Sequence, residues 1–144
     1  MINDGFNLKG KVEVRLNDEV VREIDNLVVT TGKGFVAASM IKTTSNSPAA
    51  MTHMAIGSNT TNPAAGDTAL GTELGRVALT SAAVSGAVVT YIATFPAGTG
   101  TGAVVEAGIL NASSSGTLLC HTEFDVVNKG SADAITITWT VTVS

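Results

Sequence analysis

The chain has a single cysteine, few charged residues and no long apolar run, and each shortage excludes a class of protein. With Cys120 alone, no disulfide can form within the chain, as expected of a protein folded in the cytoplasm. Apolar runs are interrupted by Gly, Thr or a charge well before about 18 residues, so no transmembrane helix is expected. The N-terminus, MINDGFNLKGKVEV, also lacks the apolar core of a secretion signal.

Charged residues make up 14% of the 144 residues, against about a quarter in an average domain. The net charge is −4 and no cluster of Lys or Arg is present, so the sequence predicts no nucleic-acid partner and no membrane partner. Surfaces buried between subunits are depleted of charge. We therefore expect a protein that lives in contact with other subunits, although a surface rich in Thr and Ser would explain the same composition.

Alternation of apolar residues with threonine predicts β-strands in much of the chain. In residues 135–143, large apolar side chains occupy one face and four threonines the other. Turn sequences rich in Gly, Ser and Asn separate such runs. Short strands at this spacing predict one all-β domain over residues 1–144, an antiparallel β-sandwich with a jelly-roll-like arrangement. The other predicted strands are residues 12–16, 76–81, 88–95, 104–110 and 118–126.

Two short helical segments are predicted. Residues 32–41 have a helical spacing of apolar residues, and Thr30 or Thr31 could cap the N-terminus of this helix. Residues 67–74 have a shorter amphipathic pattern, which Asp67 could cap. Ser, Thr, Asn, Pro and Gly are frequent between the two segments, which predicts loops there.

The sequence offers few groups placed for catalysis. Carboxylates such as those of Asp67, Glu73 and Glu106 could act as acid and base in a glycosidase-like cleft. Such clefts normally present aromatic platforms, whereas aromatic residues make up only 4% of this chain. No serine lies in a nucleophile-elbow motif. We therefore predict that the protein is not an enzyme and has no catalytic residues.

Candidate cofactor and metal sites have simpler explanations. Residues 98–102 are rich in glycine, but they precede a predicted strand and not the helix of a phosphate-binding loop, so a hairpin turn is favoured. His121, Glu123 and Asp125 would share one face of a predicted strand, where a solvated polar face is favoured over a metal site. Cys120 is expected to pack as a small apolar residue. We predict neither a cofactor nor a metal ion.

The most distinctive segment runs from Met54 to Arg76. It contains Met-Ala-Ile-Gly in a strand pattern, a Thr-Thr-Asn-Pro loop, and then Gly-Asp-Thr-Ala-Leu-Gly-Thr-Glu before Arg76. This segment resembles a pattern that recurs in small virion structural proteins of tailed bacteriophages. The resemblance covers most of the chain, because it extends to residues 10–12, 28–32, 106–111 and 135–143.

The resemblance implies a structural part of the virion, made in the host cytoplasm, and brings no catalytic motif with it. The first hypothesis is a head decoration, or cement, protein that binds the major capsid protein lattice from outside and stabilises it. The alternative is a tail, fibre or adhesin-type binding module, which would be favoured by aromatic and charged loop residues that are scarce here. Either role suits a homo-oligomer.

Two regions are expected to contact the capsid or sister copies, residues 1–10 and residues 43–66. Within the second, residues 58–66 are polar and uncharged. They either complete the core as a well-specified loop or reach a neighbouring subunit, and the two roles are compatible. Glu73 and Arg76, three residues apart, are expected to pair. The individual contact residues that we predict are Phe6, Leu8, Ser58, Asn59, Thr60, Thr61, Asn62 and Pro63.

Overall fold

The computed structural model describes residues 7–41 and 48–144 of the chain. These residues contain nine β-strands and one α-helix. In chain order they are β1 (Leu8–Leu16), β2 (Glu19–Val28), α1 (Thr30–Ser39), β3 (His53–Gly57), β4 (Glu73–Ala78), β5 (Ser81–Ser85), β6 (Val88–Phe95), β7 (Gly102–Leu110), β8 (Leu118–Lys129) and β9 (Ile135–Val143).

All nine strands belong to one antiparallel sheet, which curls into a half-barrel. The strand order is β4-β3-β7-β8-β2-β1-β9-β6-β5. Only two residue pairs join β2 to β8, Leu27 with His121 and Val28 with Cys120. The all-β, antiparallel part of the prediction is confirmed. The two-layer sandwich and its jelly-roll arrangement are not, because the strands follow one another in a single hydrogen-bonded order.

The inner face of the curled sheet encloses the hydrophobic core. The predicted alternation in β9 is confirmed, because Ile135, Ile137 and Trp139 are fully buried while the threonines between them are half-buried. Strands from the other half of the sheet contribute to the same cluster, for example Met54 of β3. Cys120 is also fully buried there, as predicted, and burial raises the pKa of its thiol well above the ordinary value.

Helix α1 forms near the predicted position but begins two residues earlier and without the predicted cap. Val29 occupies the N-cap position, and no side chain caps the helix. The hydroxyl of Thr31 instead donates to the backbone oxygen of Leu118, 2.8 Å away, so it fastens the helix to β8. Gly32 allows this close approach, because a Cβ atom there would lie 1.9 Å from the backbone oxygen of Leu119.

The second predicted helical segment, residues 67–74, is not a helix. Residues 67–72 are irregular, and Glu73 is already the first residue of β4. The backbone N–H groups of Gly71 and Thr72 donate to the carboxylate of Glu106 and not to helical carbonyl oxygens. The local amphipathic pattern is therefore overridden by a contact with a residue more than thirty positions along the chain.

Candidate functional site

One buried carboxylate holds both ends of the loop between β3 and β4. Glu106, in the middle of β7, is only 1% exposed. Its Oε2 accepts hydrogen bonds from the N–H groups of Asn59 (2.8 Å) and Thr72 (3.0 Å), and its Oε1 accepts one from Gly71 (3.0 Å). Hydrogen bonds to a charged acceptor in a buried place are among the stronger ones in proteins. The loop therefore leaves and rejoins the sheet at a fixed position.

A histidine links this carboxylate to the middle of the same loop. His121 of β8 is 4% exposed, and its Nε2 lies 2.9 Å from Oε1 of Glu106. Its Nδ1 lies 2.8 Å from Oδ2 of Asp67. Because each ring nitrogen faces a carboxylate oxygen, an imidazolium with both nitrogens protonated can donate to both. We call Asp67, Glu106 and His121 the buried clamp.

Asp67 extends the clamp towards the surface. Its Oδ2 also accepts a hydrogen bond from the N–H of Ala64, at 2.8 Å. This backbone hydrogen bond, together with the hydrogen bond and the charge of His121, lowers the pKa of the Asp67 carboxyl below its ordinary value of 3.8, against the opposing effect of burial. The aspartate therefore fastens the loop and does not cap a helix as the sequence predicted.

We expect Asp67→Asn to destabilise the fold at neutral pH, by up to about 1 kcal/mol, and progressively less in acid. Because the pKa of Asp67 is lower in the folded protein than in the unfolded chain, the ionised carboxylate stabilises the fold above about pH 4. That contribution is lost as the pH falls through the lowered folded-state value. Urea unfolding of both proteins between about pH 7 and about pH 3 measures this. A difference in unfolding free energy that stays constant or grows in acid contradicts the assignment.

Arg76 holds the C-terminal end of the β3–β4 loop, where β4 begins. Its guanidinium makes two hydrogen bonds to the carboxylate of Glu73, at 2.7 and 3.1 Å, so the predicted pair is present. Its Nη1 also donates to the backbone oxygens of Ala112 (3.0 Å) and Ser115 (2.9 Å). The start of β4 and the loop that follows β7 are thus joined through the side chain of Arg76.

Six of the eight predicted contact residues, Ser58 to Pro63, lie on this clamped loop. We call residues 58–66 the arm. Thr60, Thr61 and Asn62 are exposed at its surface, whereas Ser58, Asn59 and Pro63 are half-buried. The side-chain oxygen of Asn59 accepts a hydrogen bond from the N–H of Thr61, which tightens the turn. The arm is consequently a small, uncharged surface whose shape is set by the buried clamp.

The other two predicted contact residues lie elsewhere. Leu8 begins β1 and is half-buried, where it helps to line a cavity of about 420 Å³ beside α1. Strand β1 is separated from β3 by three strands in the sheet, so the structure does not place Leu8 in the arm. Phe6 lies outside the described residues.

The structure places the acidic residues and His121 differently from the arrangements that the sequence suggested. His121 is buried in the clamp and does not lie on a solvated face, so that interpretation of it was wrong. Glu123 and Asp125 line a separate surface depression with Arg22. Within residues 7–41 and 48–144, no group of three His, Cys, Asp or Glu side chains is placed to hold a metal ion. Asp67 and Glu106 share a histidine, but the carboxylate of Glu106 is occupied by backbone N–H groups.

A second surface was not anticipated from the sequence. The outward-facing residues of β5, β6 and β9 are uncharged, and we call this surface the neutral face. The outer side of the adjacent strand β1, in contrast, carries Lys9, Lys11, Glu13 and Arg15. The signal was present in the sequence, because no charged residue occurs in residues 77–105. The neutral face consists of Ser81, Ala83, Ser85, Val88, Thr90, Ile92, Thr94, Thr136, Thr138, Thr140 and Thr142.

No protein-family model matches this chain, and neither the curated proteins nor the solved structures contain a significant match to it. In the part of the chain that the structure describes, no helix is long and apolar enough to cross a membrane.

Proposed function

We propose that this chain is a structural subunit of a tailed-phage virion, a decoration protein that binds the outer surface of the major capsid lattice and stabilises it. The arm is the proposed contact with the capsid. The observation that carries the proposal is the buried clamp, which holds an exposed, uncharged loop in one conformation. A surface fixed in advance binds a partner without the entropy cost of ordering it.

The polar composition of the buried clamp supports the proposal that the arm must keep a fixed shape. Burying a carboxylate is costly, and a buried ion pair is often no more stabilising than apolar residues of the same volume. Here Glu106 and His121 are both buried, and their polar atoms are directed to one loop. Buried polar groups of this kind are expected where a loop must keep a particular geometry for contact with another subunit.

The distribution of charge supports the same proposal. Interfaces are depleted of charged residues at their centres. Both the arm and the neutral face are uncharged. A subunit that binds only the assembled shell stabilises that shell through its binding free energy. Many copies with interfaces on the order of 1,000 Å² each would resist internal genome pressure.

We expect Thr61→Lys to weaken binding to expanded capsids that lack the protein by about tenfold or more. The substitution places an unpaired charge in the middle of the arm, where it would lose its hydration on contact. Sedimentation of capsids with bound protein measures the affinity, and the disruption temperature of the capsids measures stabilisation. Failure of the unmodified protein to bind or to raise that temperature contradicts the decoration role.

Ser131→Lys is the matched control, because it adds the same charge at an exposed position in the turn between β8 and β9. This variant should bind as the unmodified protein does. Equal weakening by both substitutions would show a general effect of charge and argue against the arm as the contact. Antibody labelling of virions separates the head from the alternative location, since signal confined to the tail or fibres excludes decoration of the head.

A further inference from the structure

Strand β5 is an edge of the sheet without the usual protection. It stands last in the strand order, and all five of its residues are exposed, Val84 to 72%. Natural edge strands are protected by charged residues, proline, bulges or a covering segment. Strand β5, Ser-Ala-Ala-Val-Ser, pairs with β6 without a register shift and has no charge and no proline. In the described residues no strand pairs with its outer side.

The opposite edge of the same sheet is protected. Strand β4 contains Glu73 and Arg76, and its pairing with β3 is interrupted by a register shift between Ile56 and Gly57. Arg76 is engaged by the loop that follows β7. The open character of β5 is therefore specific to one edge and is not a general property of the sheet.

The hairpin geometry identifies which backbone groups of β5 are free. A two-residue turn at Gly86 and Ala87 joins β5 to β6, and Gly86 has the positive φ of 57° that such a turn needs. Ser85 lies opposite Val88 and closes this turn, so the two residues exchange backbone hydrogen bonds. Along β5 the backbone N–H and C=O groups of successive residues point alternately towards β6 and away from it. Consequently the N–H and C=O groups of Ala82 and Val84 point away from the sheet.

We propose that β5 pairs antiparallel with β5 of a second copy of this chain across a two-fold axis. With Ala83 opposite Ala83 of the second copy, Ala82 faces Val84 across the junction. This register lets the outward N–H and C=O groups of both strands form four reciprocal hydrogen bonds. The two curled sheets would then continue into each other.

The composition of this edge suits pairing with itself. In a two-fold interface, residues near the axis meet their own kind, so a charge there would face a like charge. No charged residue occurs in residues 77–105, which include both strands of the hairpin. Val84 lies on the same face of the sheet as its neighbour Val89, which packs against the core. A second copy would cover this exposed valine.

The proposed junction is small, because a five-residue strand is about 17 Å long. It belongs to the low end of interface sizes, so we expect a dimer that forms with rising concentration and dissociates on dilution. The inference does not rest on the proposed function. A chain that dimerises but does not bind capsids contradicts only the decoration role, and a monomer that binds capsids contradicts only the dimer.

Cross-linking tests the register directly. Ala83→Cys should form a disulfide-linked dimer under mild oxidation, because the two Ala83 positions form a non-hydrogen-bonded pair with Cα atoms about 4.5 Å apart, within disulfide range. Ser81→Cys is the matched control, because Ser81 is on the same face as Ala83 and is also exposed. Its sulfur would lie about 14 Å from its counterpart, so it should cross-link far more slowly. Cys120 does not compete, because it is buried.

Light scattering across a range of protein concentrations tests the dimer without cross-links. We expect the mass of the unmodified chain to rise towards that of a dimer, and Val84→Lys to lower the association constant at least about tenfold. Thr94→Lys, exposed on β6 away from the edge, should leave association unchanged. A constant monomer mass at every concentration, or equal cross-linking of the two cysteine variants, overturns the proposal.

Discussion

Replacing Glu106 with alanine is expected to reduce the free energy of unfolding by about 3–5 kcal/mol. The substitution leaves three backbone N–H groups without their acceptor, those of Asn59, Gly71 and Thr72, and it removes the partner of His121. Part-buried donors that lose their acceptor still bear much of their desolvation cost. Urea unfolding measures the loss, and hydrogen exchange at the three amides should show that the arm opens with it.

Two further variants make this expectation specific. Glu106→Gln keeps one carbonyl acceptor and should lose less stability than Glu106→Ala. Glu73→Ala removes a more exposed carboxylate that pairs with Arg76, so it should cost about 1 kcal/mol or less. If the two alanine variants are equally stable, the buried clamp does not carry the energy assigned to it. If Glu106→Ala lowers the free energy of unfolding without faster hydrogen exchange in the arm, Glu106 stabilises the fold but does not fix the shape of the arm.

Gly32→Ala and Gly34→Ala are expected to change stability in opposite directions, although both lie in α1. At Gly32 an added Cβ would meet the backbone oxygen of Leu119 at 1.9 Å. Backbone cannot be moved aside as a flexible side chain can, so we expect a loss of about 1–3 kcal/mol. At Gly34 nothing lies within 4 Å of the added atom, so alanine should stabilise the helix by about 0.5–1 kcal/mol.

Thermal or urea unfolding of the two variants gives a direct comparison, because the chemical change is the same in both. The result also bears on the arm. The N–H of Thr30 donates to the backbone oxygen of Ala65, at 2.7 Å, so the start of α1 also contacts the loop that the clamp holds. Destabilisation by both alanines would mean that helix propensity and packing against β8 do not explain the two glycines.

Sequence patterns were most informative where one face of a strand is buried. The strands β1, β6 and β9 were predicted because apolar residues alternate with polar ones, and alternation follows from burial on one side. Strands β7 and β8 were also predicted, although residues 104–110 of β7 are buried on both faces. Strand β2 was missed, since most of its ten residues are exposed or half-exposed and charges such as Arg22 and Asp25 interrupt the pattern. The predicted strand at residues 76–81 is divided between β4 and β5 by Leu79 and Thr80.

The buried clamp could not be assembled from the sequence for a different reason. Asp67 and His121 are 54 positions apart, and Glu106 and Asn59 are 47 apart. No local periodicity relates such residues. Each carboxylate was noted as a candidate acid, yet its actual role depends on which backbone N–H groups the sheet brings to it. The same contacts explain why residues 67–74 are not helical.

The sequence by itself determined that this is an antiparallel β protein with a short helix near residues 32–41, few charges and an uncharged stretch over residues 77–105. These properties follow from side-chain chemistry repeated at short intervals, which neighbouring residues express without help from distant ones. Only the tertiary structure decided that the strands form one curled sheet, that Glu106 and His121 hold the arm, and that β5 is left open. Strand order and buried polar contacts depend on residues that are far apart in the chain. When such residues are buried, water is no longer available as a hydrogen-bond partner, so one distant pairing becomes far more favourable than the others.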